Sequence, residues 1–392
     1  MNFARLIAPC TVEDFFLGYY EKNFLLNQRN QPGYYDDVLS EADLDMFLSQ
    51  QDLNPASIRL VKDGMPVPVE TWTKIQERVA GQLKTFVVTE ELFRNYYNGA
   101  TIIINSAEKM IPGLAKACSA IQQEMHLVFQ ANIYITPPNS QGFSMHYDDH
   151  DIFTLQVKGP KKWRLYDTGE ELPTTKKPFR KPAELIKELE LHSGDLLYMP
   201  RGLVHEAFAT DVATVHVNFS CTGIYGFHLL GDLARIAEEE DVFFRKSIPH
   251  IYSSDKEISN YKSAFSKKLI DLIEKYHIAE LLQMQNRKIV SKQVINFNGR
   301  LIDALGLEKL HLQSLVVKRK GIPFYLEKLS DGATLVTFGK HTIRISGIVS
   351  LDIFFQDNAF KVTDIQGLMT NNGKLTIVRE FIQAGFLQIV NN

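Results

Sequence analysis

Asn132-Ile133-Tyr134-Ile135-Thr136, a turn at Pro138-Asn139-Ser140, and then Gly142-Phe143-Ser144-Met145-His146-Tyr147-Asp148 form the stretch from which fold and chemistry are both read. In an extended strand residues i and i+2 share a face, so His146 and Asp148 present an imidazole and a carboxylate to one point. A third donor follows in Gly194-Asp195-Leu196-Leu197-Tyr198-Met199, where a strand ends in Pro200-Arg201-Gly202 and the chain returns His205 towards the same interior. Two imidazoles and one carboxylate leave three positions of an octahedral metal open, which suits non-haem Fe(II) that activates dioxygen. A zinc hydrolase keeps tetrahedral geometry with one open position. A lone His-x-Asp is a common coincidence, and what makes it a site is its coupling to His205, 57 residues beyond Asp148. His150, on the strand face of His146 and Asp148, and His216, in the next apparent strand, are expected to be hydrogen-bonded neighbours rather than ligands.

Downstream, Ile152 to Lys158, a Gly159-Pro160 turn and Lys161-Lys162-Trp163-Arg164-Leu165-Tyr166 read as a β-hairpin. Lys161 shares a face with Trp163 and Leu165, so it should point inward. A buried ammonium requires an anion, and the distal carboxylate of 2-oxoglutarate would be one. Spacing alone leaves equally open a lysine at the barrel mouth that reaches solvent.

Around this core, Thr11 to Phe16 and Ser40 to Leu48 carry helix-start signals. Ser106 to about Gln130 has helical apolar spacing. From Asn132 to Ser220 short β-rich segments alternate with turns, predicting a barrel or sandwich. A Lys/Pro-rich insertion, Lys176 to Pro182, interrupts the series, and a short helix is expected over Glu184 to Leu189. Helical patterns return from about Leu229, and after Leu312 the chain becomes mixed, with strands at Thr334–Phe338 and His341–Ile345 and a helix ending near Gly385. The expected organisation is α+β: a catalytic domain over 1–228, a helical dimerisation domain over 229–312, and a winged-helix-like domain over 313–392.

Length supports this division, since single cores stop growing at roughly 250–300 residues and the chain has 392. Apolar residues make up 45% and the net charge is -3, which argues against a whole-chain match to nucleic acid or an anionic membrane. Cys10, Cys118 and Cys221 are too few and too scattered for a disulfide framework or a thiolate zinc site. With no signal peptide pattern and no apolar run of about 18 residues, a cytoplasmic protein is expected.

The segments Asn132 to Phe143, His146-Tyr147-Asp148-Asp149, Leu155-Gln156-Val157-Lys158-Gly159 and Trp163-Arg164-Leu165-Tyr166 resemble those of the JmjC-type ribosomal oxygenases. So do Phe15 to Leu26 and Leu196 to His205, and together the resemblance covers about 230 residues. It implies a cupin-like double-stranded β-helix, Fe(II) as cofactor and 2-oxoglutarate as co-substrate. It also implies hydroxylation of an arginine or histidine side chain in a ribosomal protein. By the same resemblance His146, Asp148 and His205 are the catalytic metal ligands. Lys161, fifteen residues after His146, holds the co-substrate's distal carboxylate, while Tyr134, Asn132 and Thr154 line its pocket. A homodimer through the helical domain follows as well. Met145, His150 and Tyr20 depart from the family pattern, and the first two stand beside the expected metal. The competing expectations are the same chemistry on a non-ribosomal peptide, a methylated lysine or a small molecule, or a non-catalytic cupin-like binding module.

Overall fold

The computed structural model describes residues 1–390 apart from 51, 79, 80, 169, 176–183, 294–297, 347 and 348. Two compact units are present. The first comprises Met1–Thr222 with Gln293–Gly299 and Arg319–Pro323, and the second comprises Gly223–Lys292, Arg300–Lys318 and Phe324–Asn392.

The strands of the first unit among the described residues are β1 (Leu25–Asn27), β2 (Ile58–Lys62), β3 (Met65–Pro66), β4 (Thr73–Arg78), β5 (Gln82–Val87), β6 (Thr101–Ile104), β7 (Val128–Thr136), β8 (Asp151–Lys158), β9 (Lys161–Thr168), β10 (Leu185–Leu191), β11 (Leu196–Met199), β12 (Leu203–Ala209) and β13 (Thr214–Thr222). An eight-stranded sheet has the order β1-β11-β8-β13-β7-β6-β2-β3, a three-stranded sheet has the order β10-β9-β12, and β4 pairs with β5. Its helices are α1 (Phe3–Ile7), α2 (Val12–Gly18), α3 (Glu41–Leu48), α4 (Thr89–Tyr97) and α5 (Pro112–Met125). Ser40 and Asp43 cap α3 reciprocally, and Thr11 caps α2, as the sequence signals require.

Strand alternation explains why the large sheet has two unlike faces. On β7 and β13, Ala131, Ile133, Val217 and Phe219 are fully buried and join Leu114, Ala117, Cys118 and Ile121 of α5 in one core. The intervening Asn132, Tyr134, His216 and Asn218 face the opposite way, into a cavity. Each large apolar side chain in the helix-side layer contributes on the order of 1.5–3 kcal/mol, so a one-residue slip of β7 would exchange this layer for the polar one. A smaller core of Ile152, Trp163, Leu165, Leu189, Leu191, Leu197, Met199 and Leu203 joins the two sheets.

Two expectations are corrected here. Gly159-Pro160 does not close a hairpin: β8 pairs with β11 and β13, while β9 pairs with β10 and β12. The turn instead carries the chain from one sheet to the other. Gly159 has φ +67°, and a Cβ there would meet the Ala213 carbonyl oxygen at 2.3 Å. The stretch Glu184 to Leu189 is not a helix, because β10 runs from Leu185 to Leu191 and pairs with β9, placing Leu189 opposite Trp163 and Leu191 opposite Lys161. Leu185, Leu189 and Leu191 fit a helical stripe or an alternation comparably well, and the unpaired edge of β9 decided between them. The Lys176 to Pro182 insertion lies outside the described residues.

In the second unit α6 (Gly226–Glu240), α7 (Val242–Arg245), α8 (Asp255–Lys275), α9 (Ile278–Lys292) and α10 (Arg300–Gly306) precede a mixed region. That region contains β14 (Leu315–Lys318), β15 (Tyr325–Lys328), β16 (Thr334–Phe338), β17 (His341–Ile345), α11 (Asp352–Phe355), β18 (Phe360–Lys361), α12 (Asn371–Ala384) and β19 (Leu387–Ile389). Its sheets are β18-β14-β19 and β15-β16-β17. Gly385, in the left-handed conformation, ends α12. Among the described residues no helix is long and apolar enough to cross a membrane.

Candidate metal and co-substrate site

His146 and Asp148 do not lie on a regular strand. They occupy the extended segment before β8, and His146 forms an isolated bridge with His205, the first residue of β12 to face the cavity. The backbone bonds His146 N to His205 O (3.0 Å) and His205 N to His146 O (2.8 Å) make the bridge. Gly202 N donates to Asp148 O at 2.9 Å, so the Pro-Arg-Gly turn grips the same segment. Gly202 has φ +88°, and a Cβ would lie 2.1 Å from the Glu170 carbonyl oxygen, which explains the glycine.

The potential ligand atoms of His146, Asp148 and His205 lie within 4.8 Å of one another. Asp148 Oδ2 is 3.8 Å from His146 Nε2 and 3.6 Å from His205 Nε2. Each histidine places Nδ1 against a carbonyl two residues upstream: His146 on Ser144 O at 2.8 Å, His205 on Leu203 O at 3.0 Å. Carbonyls only accept, so both Nδ1 atoms carry a proton, and in the neutral imidazoles this leaves both Nε2 atoms as lone-pair donors on the side of Asp148. Such outer hydrogen bonds are what orient metal-ligating histidines. Three donors from one side, two nitrogens and an oxygen, match the facial triad of non-haem Fe(II).

The cavity at the triad has a volume of about 430 Å³, within the range of small-ligand sites. At its inner end is Lys161, 3% exposed. Its Nζ donates to Thr136 Oγ1 at 3.0 Å and lies 3.3 Å from His216 Nδ1. Among the described residues no carboxylate pairs with it, and burial pushes its pKa down to about 7. Burial, with the Lys161 charge beside it, holds the His216 imidazole well below its ordinary value. His216 is therefore neutral, and it stacks on Tyr134 at 4.6 Å. The indole N–H of cavity-lining Trp163 is buried with no acceptor among the described residues. A buried ammonium and an indole donor, both lacking an anion, fit the carboxylate end of a dicarboxylate such as 2-oxoglutarate.

Of the other expected residues, Asn132 and Tyr134 line the cavity. Thr154 stands behind it, its hydroxyl donating to Asn218 Oδ1 at 2.8 Å, and Asn218 is the lining residue. His150 lies in the segment before β8, its Nδ1 3.0 Å from Asp149 Oδ1, and it lines the cavity outside the triad. His216 lines the cavity too, a hydrogen-bonded neighbour and not a member of the triad, as do Thr136, Asn218 and Arg59, to which sequence reasoning gave no site role. Their signal was positional, since His216 and Asn218 alternate with Val217 and Phe219 just as Asn132 and Tyr134 alternate with Ile133.

Two motifs of the sequence hold the frame. Asp195 is fully buried and accepts from the backbones of Arg29, Asn30 and His192 at 2.7, 2.9 and 2.8 Å. Gly194 passes so close to the Gln31 carbonyl that a Cβ would sit 2.3 Å from it. Arg201 bonds Glu21 from the N-terminal motif and lies 3.5 Å from Asp151. Tyr198 donates to Asp151 at 2.7 Å and accepts from Glu21 N at 3.0 Å. The N-terminal segment is thereby tied to the turn that delivers His205.

Comparison with known proteins agrees. Residues 107–226 match the family model described as the JmjC domain. The chain is 33% identical over 301 residues to the bifunctional lysine-specific demethylase and histidyl-hydroxylase NO66 of Aedes aegypti, covering 69% of this chain and 45% of that protein. It is 31% identical over 292 residues to ribosomal oxygenase 1 of Gallus gallus, covering 70% and 47%. The chain belongs to the JmjC-type ribosomal-oxygenase family. It spans about half the length of the curated relatives it matches. The crystal structure of Escherichia coli ycfD is similar across 97% of this chain and 98% of that one, with a TM-score of 0.58 and 15% identity, which bears on the fold. This membership agrees with the resemblance first read from the motifs between Asn132 and His205.

Proposed function

We propose that this chain is an Fe(II)- and 2-oxoglutarate-dependent oxygenase that hydroxylates a side chain of a ribosomal protein. The observation that carries the reading is the pairing, in one cavity, of an Nδ1-anchored two-histidine, one-carboxylate triad with a buried lysine that lacks an anion. His146, Asp148 and His205 would hold the metal. When bound, Fe(II) couples oxidative decarboxylation of 2-oxoglutarate to oxygen insertion into a C–H bond. Lys161, Thr136 and Trp163 take the distal carboxylate and fix which end of the co-substrate reaches the metal. Tyr134, Asn132 and Asn218 wall the site against water, and Thr154 holds Asn218 in place. We read the two facing sheets as a cupin-like double-stranded β-helix.

For the target residue, Asp148 is the sole carboxylate among the described residues that line the cavity, against Lys161 and Arg59. A second guanidinium or a methylated lysine would enter a site whose one acid already serves the metal, at the cost of an unpaired charge. A neutral imidazole avoids that cost. Histidine is the favoured target; the relative from Aedes aegypti is named both a lysine-specific demethylase and a histidyl-hydroxylase, and the charge of the cavity favours the second. Mass spectrometry of ribosomal proteins from cells with and without the gene should show one histidine-containing peptide gaining a single oxygen; an oxygenated arginine would overturn the choice of residue, and no gain at all the ribosomal substrate.

The second unit supports a homodimer. Leu233, Ile236, Ala237, Leu272 and Leu281 form its small helical core, yet Phe227, Leu230, Ile270, Ile273 and Ile278 stay at least half exposed. Such apolar faces mark association surfaces. Leu230→Asp with Ile270→Asp should halve the mass seen by sedimentation, and an unchanged mass would refute the interface. We assign residues 229–312 to this dimerisation region and 313–392 to a winged-helix-like region. Cys10, Cys118 and Cys221 are all unpaired, which suits a reducing, cytoplasmic setting.

A further inference from the structure

The sheet register aligns Arg59 with Ile103, Ile103 with Tyr134, and Tyr134 with His216. Residues opposite one another across strands share a face, so Arg59 belongs to the cavity side of β2 and is the outermost member of the row that ends beside Lys161. Its neighbours Ile58 and Leu60 are buried on the other face. The Arg59 guanidinium lies 5.0 Å from the centre of the Phe143 ring, and Phe143 is in turn 5.4 Å from the His146 ring. Arg59 is exposed and lines the cavity. Among the described residues no carboxylate pairs with it.

A guanidinium lying over an aromatic ring is held by the ring face while its N–H donors stay available to other partners. Lys161 is buried for the co-substrate, whereas Arg59 is open to solvent at the mouth, where only a molecule approaching from outside can reach it. We propose that Arg59 is a substrate-binding residue that grips a carbonyl or carboxylate oxygen beside the residue to be hydroxylated. The inference rests on the hydroxylase reading above and adds the chemistry of the flank: an oxygen acceptor, from either the main chain or an acidic side chain. No covalent step is involved. Arg59 sets which peptide is held and in what register, and the triad acts on what it holds.

The test uses the full-length, Fe(II)-loaded protein with salt-stripped total ribosomal protein as the first probe. The peptide that gains an oxygen with wild type is then synthesised and its kinetics are measured. Arg59→Ala should raise its KM at least tenfold with a much smaller change in kcat, and Arg59→Lys, which keeps the charge but not the fork, should fall between. If the acceptor is an acidic side chain, its amide analogue should lose affinity with wild type but not with Arg59→Ala. If it is a main-chain carbonyl, the amide analogue is silent and an amide-to-ester replacement, which weakens that acceptor, gives the coupled loss. Equal peptide KM for wild type and Arg59→Ala would overturn the inference while leaving the hydroxylase reading intact. A parallel rise in the KM for 2-oxoglutarate would also overturn it, since Arg59 would then act through Phe143 on the metal end. If wild type oxygenates no peptide, the hydroxylase reading falls first and the Arg59 assignment with it.

Discussion

The two ends of the cavity are built by opposite means. At the outer end, His146 and Asp148 sit on an irregular segment, and His146 keeps 32% of its side chain exposed. Backbone hydrogen bonds hold this end: the His146–His205 bridge, Gly202 on Asp148, and the two carbonyls that fix the imidazole tautomers. At the inner end, Lys161 sits on a regular strand, fixed between β10 and β12 by register and almost wholly removed from water. The outer groups are lone-pair donors suited to a cation, and the inner group is a desolvated ammonium suited to an anion. Orientation is therefore supplied locally at the proposed metal end and by the whole sheet at the proposed co-substrate end. Loss of a metal donor should spare stability, whereas changes at Lys161 should couple binding to stability.

The largest effect separates the ends by activity. His146→Ala should lower iron-dependent succinate formation at least about a hundredfold, while the thermal midpoint stays close to wild type because the side chain is partly exposed. Retained turnover would mean that His150 or His216 substitutes as a ligand. Next, Lys161→Ala should raise the KM for 2-oxoglutarate roughly 10- to 100-fold, as expected for a lost charge-assisted hydrogen bond of about 1.5–3 kcal/mol. Lys161→Met, which removes the desolvated charge but keeps the volume, should stabilise the unliganded protein by about 1 kcal/mol. Destabilisation by Lys161→Met would show that the bonds to Thr136 and His216 outweigh the cost of the desolvated charge and would break the contrast.

The third effect is in pH. Lys161 falls from its ordinary value to about 7 in the folded protein, so between that pH and the unfolded value of about 10.5 the unfolded chain binds more protons. Stability in the absence of co-substrate should thus rise with pH through this window. Binding the distal carboxylate requires the ammonium, so affinity for 2-oxoglutarate should move the other way, weakening up to about tenfold per pH unit above 7. Lys161→Arg should remove that slope in isothermal titration, and an equal slope in the variant would assign the proton elsewhere. The smallest effect concerns Thr154, which touches the cavity only through Asn218. Thr154→Val should cost about 1 kcal/mol of stability in a denaturant titration and shift the KM for 2-oxoglutarate by only a few fold. A loss as large as that of Lys161→Ala would move Thr154 into direct contact with the co-substrate.

Much of this site could be read without coordinates, for physical reasons that differ between residues. His146, Asp148 and His205 are legible because His-x-Asp is coupled to a Pro-x-Gly turn that returns a second histidine, and Gly194 and Gly202 mark backbone with no room for a Cβ. Lys161 showed its inward direction through alternation with Trp163 and Leu165. Thr136 and Asn218 were hidden in β-rich sequence, since a polar residue between apolar ones on a strand reads as solvent-facing until another sheet covers it. Arg59 was hidden in the same way, at the end of a row spanning four strands that are far apart in sequence.

By itself the sequence determined the candidate donor set, the helix caps, the α+β order and the apolar face of β7 and β13, because these depend on residue type and short-range periodicity. Only the tertiary structure decided that Gly159-Pro160 crosses between sheets instead of closing a hairpin, that Leu185–Leu191 is a strand, and that Arg59, Tyr134 and His216 share one row. Those outcomes depend on which edge is free to pair and on what covers each face, and both are properties of the assembled chain.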